Sequence, residues 1–127
     1  EFIAAALRPH YRVHCAYTGR QGVGMALDLR PDLIISDIMM PVLSGDQMVS
    51  ELRQQPSMRD VPIIMLSAMA DEAMRLRLLQ QGVQDYLNKP FSVDELLARV
   101  GGLVSARQRT LQELRRSAER LRELADV

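Results

Sequence analysis

The sequence predicts a doubly wound α/β fold, a parallel sheet with helices on both faces, followed by a long helix. Three observations predict it. Residues 33–35 and 61–66 are continuous apolar runs and residues 83–88 a shorter mixed one, as expected of parallel strands covered on both sides. Segments with apolar residues at helical spacing separate these runs, so strands and helices alternate along the chain. Each run also ends in a polar residue suited to chemistry, Asp37, Ser67 or Lys89, and in open α/β sheets the strand carboxyl ends form the working edge.

The elements follow in order. Residues 2–7 have helical apolar spacing and stop at Arg8-Pro9, since the residue before proline avoids helical dihedrals. Residues 11–17 alternate enough to be a strand, with Val13 and Cys15 on one face. Thr18-Gly19 turns the chain, and residues 21–29 carry Val23, Ala26 and Leu27 as a helical stripe until Pro31. After the strand that ends at Asp37, Ser44-Gly45-Asp46 opens a helix with Met48, Val49 and Leu52 as its apolar face. Residues 54–60 are a loop leading to the strand that ends at Ser67. Residues 71–81 are helical through Ala73, Met74, Leu76, Leu78 and Leu79, and Gly82 caps them. Ser92-Val93-Asp94-Glu95 is a capping-box pattern that opens the last helix.

In a parallel sheet the three strand ends line one edge. They bring together a carboxylate, a hydroxyl and an ammonium, which are parts of a phosphoryl-transfer site: an oxygen nucleophile, with a hydroxyl and a cation to bind phosphoryl oxygens. Lys89 is the only lysine among the sixteen Lys and Arg residues, so the one compact, flexible ammonium of the chain stands at a strand end.

Asp37-Ile38-Met39-Met40-Pro41 with Gly45 after it, Pro62-Ile63-Ile64-Met65-Leu66-Ser67-Ala68, Gly82, and Asp85-Tyr86-Leu87-Asn88-Lys89-Pro90-Phe91 occur in this order and spacing. With them, residues 1–104 resemble the receiver domains of two-component response regulators and hybrid sensor kinases. The resemblance implies a flavodoxin-like fold, in which Asp37 accepts a phosphoryl group from the phosphohistidine of a histidine kinase or phosphotransfer protein. It implies that Ser67 follows the phosphoryl group, that Lys89 bridges to it, and that Tyr86 changes rotamer together with Ser67. The Lys89-Pro90 bond is usually cis in such domains, and the resemblance implies that Asp37 and the backbone carbonyl of Met39 are Mg²⁺ ligands. Receivers also promote their own phosphorylation and dephosphorylation with Mg²⁺ while not being enzymes in the ordinary sense.

One expected element is missing. In the family a first strand precedes the first helix, lies in the middle of the sheet and ends in two acids that help hold Mg²⁺. This sequence begins inside that first helix, and Glu1 lies too far along it to replace those acids. Losing a central strand separates its two neighbours and leaves unpaired edges on both. Truncation, a strand supplied by another chain, or a rearranged sheet would each account for it, and truncation is the expectation. A second functional class stays open, a pseudo-receiver that docks or dimerises without phosphorylation. Acids preceding Glu1 in a longer chain separate the two classes. A third, an aspartyl phosphohydrolase, typically carries an acid two residues after the nucleophile, where Met39 stands.

Beyond Gly101-Gly102, Val104, Leu111, Leu114, Ala118, Leu121 and Ala125 recur at steps near three and four among Arg and Glu residues, a coiled-coil pattern. Residues 105–127 are accordingly expected to be a helical linker that dimerises and leads to an output domain. The glycine pair costs about 1 kcal/mol per residue relative to alanine in a helix, which invites a bend or a break.

Composition narrows the classes further. A chain of 127 residues with 47% hydrophobic and 25% charged residues supports one ordinary globular domain. Zero net charge gives no general attraction to nucleic acid or to an anionic membrane, and Glu113, Glu119 and Glu123 interleave with Arg115, Arg116, Arg120 and Arg122 as on a solvated helix face. Cys15 is alone, and no apolar stretch is long enough to span a bilayer. A reducing, cytoplasmic setting is expected. His10 and His14 flank no continuous helix, because of Pro9, and are not read as a metal pair. The eight methionines sit at core spacing and are read as filling. Restoring a preceding strand with its acids should give Mg²⁺ binding and phosphorylation at Asp37, and equal labelling of both versions by a small phosphodonor would contradict this expectation.

Overall fold

A computed structural model of the chain describes residues 2–37, 45–67 and 72–125. Helix α1 (Phe2–Leu7) is followed by α2 (Gly19–Leu29), strand β1 (Ile34–Asp37), α3 (Gly45–Gln54), a short 3-10 turn (Pro56–Met58), β2 (Ile63–Ser67), α4 (Glu72–Gln80), β3 (Asp85–Asn88) and α5 (Val93–Ala125). The strands form one parallel sheet in the order β1-β2-β3. Connections between parallel neighbours require crossovers, which α3 and α4 supply.

Every residue of β2 is buried, and its two-residue period divides the core. Ile63 and Met65 point toward Val49, Leu52, Met58, Leu78 and Val83. Ile64 and Leu66 point the other way, toward Leu7, Leu87, Leu96 and Val100. The first set packs beneath α2 and α3, and the second beneath α1 and α5, so the sheet is covered on both faces as its continuous apolar runs require. Fully burying one such side chain stabilises by about 1.5–3 kcal/mol. This central strand therefore holds both layers.

Local signals fix the helix ends. Thr18 caps α2 by accepting from Gln21 N–H at 3.0 Å, and Gln21 reaches back to Tyr17 N–H at 2.8 Å, so side chains satisfy two backbone donors at that end. Arg30 closes the helix in the left-handed region at φ 50°, donating to the Ala26 carbonyl. Gly82, at φ 91°, does the same work after α4, where a side chain would be strained. Ser92 accepts from Glu95 N–H at 3.0 Å to start α5, as its capping box predicts.

Two expectations are corrected. Residues 11–17 are not a strand. Their alternation is real, but no described strand lies between them and β1, and a strand without a ladder partner leaves its backbone groups to solvent. The glycine pair does not break α5, which continues from Val93 to Ala125. A propensity penalty near 1 kcal/mol per glycine is smaller than the gain from seating Leu96 and Val100 on the sheet beside Leu97, Leu103 and Val104.

Arg53 was not singled out by its sequence context. Its guanidinium donates to the carbonyls of Met58 at 2.6 Å, Val61 at 2.9 Å and Gly82 at 2.7 Å, and also reaches the Gln84 side chain. Gln84 Oε1 in turn accepts from Ile63 N–H at 2.8 Å. One planar fork thus ties α3, the 3-10 turn, and the entries to β2 and β3. Burial pulls the Arg53 pKa down, and the Asp60 charge opposes that. Replacing Arg53 by alanine should cost about 2 kcal/mol, because several charge-assisted bonds are lost and carbonyls are left unmatched. Urea denaturation should show a lower midpoint at unchanged slope, with Arg53→Lys recovering only part, since an ammonium cannot reproduce the fork.

Candidate phosphoryl-transfer site

The ladder register aligns the strand ends. Asp37 pairs with Leu66 across β1 and β2, and Ser67 pairs with Asn88 across β2 and β3. Asp37 and Ser67 are therefore the last residues of their strands, and Lys89 follows the last residue of β3. The backbone N–H of Lys89 donates to the Ser67 carbonyl at 2.7 Å, which carries the ladder one step beyond Asn88 and fixes where the lysine side chain leaves the sheet.

From there Lys89 Nζ reaches Asp37 Oδ2 at 2.7 Å. The two residues are 52 apart in sequence, and two neighbouring strand pairings bring them together. Their side chains are 37% and 40% exposed, so the pair stands at the rim of the sheet, where a second molecule can approach. The Lys89-Pro90 peptide bond is cis.

Ser67 is 8% exposed. Tyr86, paired in register with Met65, lies two residues before Asn88 on the same side of its strand, and it packs half-buried against the core cluster containing Met65. Ser67 and Tyr86 therefore share a sheet face. Met39, expected as a metal ligand through its carbonyl, lies outside the described residues. Among the described residues no group of three or more His, Cys, Asp and Glu side chains could hold a metal ion.

Ser36 is a site residue that the sequence reading missed. Its buried hydroxyl donates to the Asp37 carbonyl at 2.9 Å. A lone hydroxyl inside the apolar run before Asp37 was the available signal. A second feature is the pairing of Arg99 with both carboxylate oxygens of Asp85, at 2.6 and 2.7 Å. The hydrogen bond that Arg99 donates to Asp85, followed by the Asp85 charge, raises the Arg99 pKa. The pair flanks an open groove of about 620 Å³ between α4, β3 and α5, which Arg75, Tyr86, Asn88 and Glu95 also line. Tyr86 thus lines this groove from a position on the sheet face that it shares with Ser67.

The model of the response regulator receiver domain matches residues 1–101. Hybrid signal transduction histidine kinase D of Dictyostelium discoideum is 45% identical over 126 residues, which is 97% of this chain and 8% of that protein. Sensor histidine kinase TmoS of Ectopseudomonas mendocina is 45% identical over 104 residues, 82% of this chain and 11% of its own length. The chain thus spans about a tenth of these relatives. Among solved structures, the receiver domain of a sensor histidine kinase from Pseudomonas aeruginosa PAO1, with a magnesium ion coordinated in its active site cleft, is 40% identical. It superposes with a TM-score of 0.75 over 82% of this chain and 86% of that one. A receiver domain of a histidine kinase from Syntrophus aciditrophicus gives a TM-score of 0.75 at 32% identity, over 83% and 80%. With its parallel sheet, its strand-end carboxylate and this family match, the chain belongs to the response regulator receiver domains of two-component signalling.

Proposed function

We propose that Asp37 is the phosphoacceptor, and that phosphorylation there changes the affinity of the chain for a partner or an output domain. The observation that carries this reading is the 2.7 Å contact between Lys89 Nζ and Asp37 Oδ2 at the strand ends. A carboxylate oxygen attacks phosphorus as the phosphorus–nitrogen bond of a phosphohistidine breaks, and the electron pair leaves with the imidazole. The protein's part is to position the group and stabilise its charge. Lys89 transfers its contact from the carboxylate to a phosphoryl oxygen, and the Ser67 hydroxyl donates to another. The space left by Ser67 lets Tyr86 turn inward, which reshapes the groove beside Arg99. A local charge becomes a change of surface.

Mg²⁺ is usually held by one or two carboxylates and keeps several waters, taking phosphoryl oxygens as further ligands. Asp37 suits that role as the one carboxylate at the strand ends among the described residues, and the Met39 carbonyl, outside the described residues, would be a second ligand. When bound, the ion would neutralise charge on the phosphoryl oxygens.

The partners of this reading are a histidine kinase or phosphotransfer protein and an output domain after α5, in a cytoplasmic setting. Residues 1–104 act as the receiver. Residues 105–127 act as a helical linker through which two copies associate in a coiled coil. Exposed Leu111, Leu114 and Leu121 support that association.

A small labelled phosphodonor with Mg²⁺ tests the chemistry, with the preceding strand and its acids restored to the parent chain. Asp37→Asn should abolish labelling, and chelating the metal should suppress it in the parent chain. Lys89→Ala should retain part of the labelling and lose the partner response. Stoichiometric labelling of Asp37→Asn would refute the assignment, whereas an unlabelled parent chain that still binds its partner would point to a docking module instead.

A further inference from the structure

Three of the four residues of β1 are half-buried, and the one that is fully buried is polar. Ser36 is 5% exposed, and with Ser67 it makes up the buried polar side chains among the described residues. A hydroxyl taken out of water is unfavourable unless it finds a hydrogen-bond partner. This one donates to the Asp37 carbonyl at 2.9 Å.

The ladder defines what that contact holds. Ile34 N–H donates to the Pro62 carbonyl, so the amides and carbonyls of Ile34 and Ser36 face β2, and those of Ile35 and Asp37 face away from it. The peptide entering Asp37 is held against β2 through the Ser36 carbonyl, in the register that sets Asp37 opposite Leu66. The peptide leaving Asp37 has its carbonyl on the far side of the strand, and the Ser36 hydroxyl reaches around to it. With both flanking peptide planes held, tetrahedral geometry at Cα fixes the direction of the Cα–Cβ bond. The carboxyl group keeps only its side-chain torsions, which Lys89 Nζ restrains at 2.7 Å from Oδ2.

Ser36 is set back from the strand ends. It pairs in register with Met65, and Ser67 lies two residues beyond Met65 on the same face, about 7 Å nearer the edge. Its hydroxyl is therefore a contact to the backbone of the nucleophile, with the reacting oxygens left to Lys89 and Ser67.

We propose that Ser36 is a positioning residue for phosphoryl transfer, whose hydroxyl fixes the backbone of Asp37 so that the carboxylate meets the incoming phosphorus already aimed. The inference rests on Asp37 as the phosphoacceptor and adds what orients it. Attack needs the entering oxygen and the leaving nitrogen roughly in line with phosphorus, and rates fall steeply when reacting groups are misplaced. Ser36 adds no charge and touches no donor. Its loss should therefore slow the chemical step and leave donor binding unchanged.

The test uses the chain with the preceding strand and its acids restored, and reads the rate of labelling by a small phosphodonor with Mg²⁺ against donor concentration. Ser36→Ala should lower the maximal rate about fivefold, the worth of one lost hydrogen bond, at an unchanged half-saturating concentration. Ser36→Thr keeps the hydroxyl and should recover most of that rate. Ser36→Val, of the same shape without the hydroxyl, should stay slow. The ¹³C resonance of the Asp37 carbonyl should also move upfield in Ser36→Ala, a signature of the lost bond that does not depend on labelling. A parent rate in Ser36→Ala, equal rates in folded threonine and valine variants, or an unmoved carbonyl resonance would overturn the inference while Asp37→Asn stays unlabelled. Labelling of Asp37→Asn would instead refute the phosphoacceptor, and this inference with it.

Discussion

The pairing of β2 with a parallel neighbour on each side is the constraint on which the rest of the structure depends. That strand contributes apolar side chains to both layers and sets the register that places Asp37, Ser67 and Asn88 at one edge. A slip of one residue would exchange the faces of Ile63 and Ile64 with no change in composition. It would also carry the strand ends out of line. The same ladder thus specifies core and site together, and the chemistry at the edge inherits its geometry from burial in the middle.

The contact between Lys89 and Asp37 is short, but its partners are well exposed, and such pairs contribute about 0–1 kcal/mol to stability. Fold stability is therefore little invested in it. A lysine that can leave its carboxylate at small cost is well placed to follow new charge arriving there. Arg53 is the opposite case. Its fork binds backbone carbonyls at the other end of the sheet, where a loss of geometry would leave buried acceptors unmatched.

Much of this was legible in the sequence because apolar period and capping are local. The continuous runs gave β1 and β2, Ser92 and Gly82 marked helix ends, and the order of strand-end residues pointed to Asp37, Ser67 and Lys89. What escaped depended on neighbours distant in the chain. The alternation of residues 11–17 suits a strand, yet pairing is a property of two strands. The glycine pair favours a break, yet the sheet beneath α5 overrides that preference. Arg53 looked like one more arginine in an arginine-rich chain, and only the carbonyls that converge on it distinguish its role. Ser36 was visible as a polar interruption, but its hydrogen bond to the Asp37 carbonyl was not.

The unladdered stretch at residues 11–17 divides the molecule by local stability. Amide protons in β2 are protected by ladders on both sides and exchange only through openings that disrupt the core. Those of residues 12–16 have no backbone partner among the described residues, so solvent can reach them without such an opening. Opening free energies vary across a fold in this way. Among the described residues, the segment joining α1 to α2 is thus open to a protease, and Arg12 and Tyr17 supply side chains that trypsin-like and chymotrypsin-like enzymes cut after.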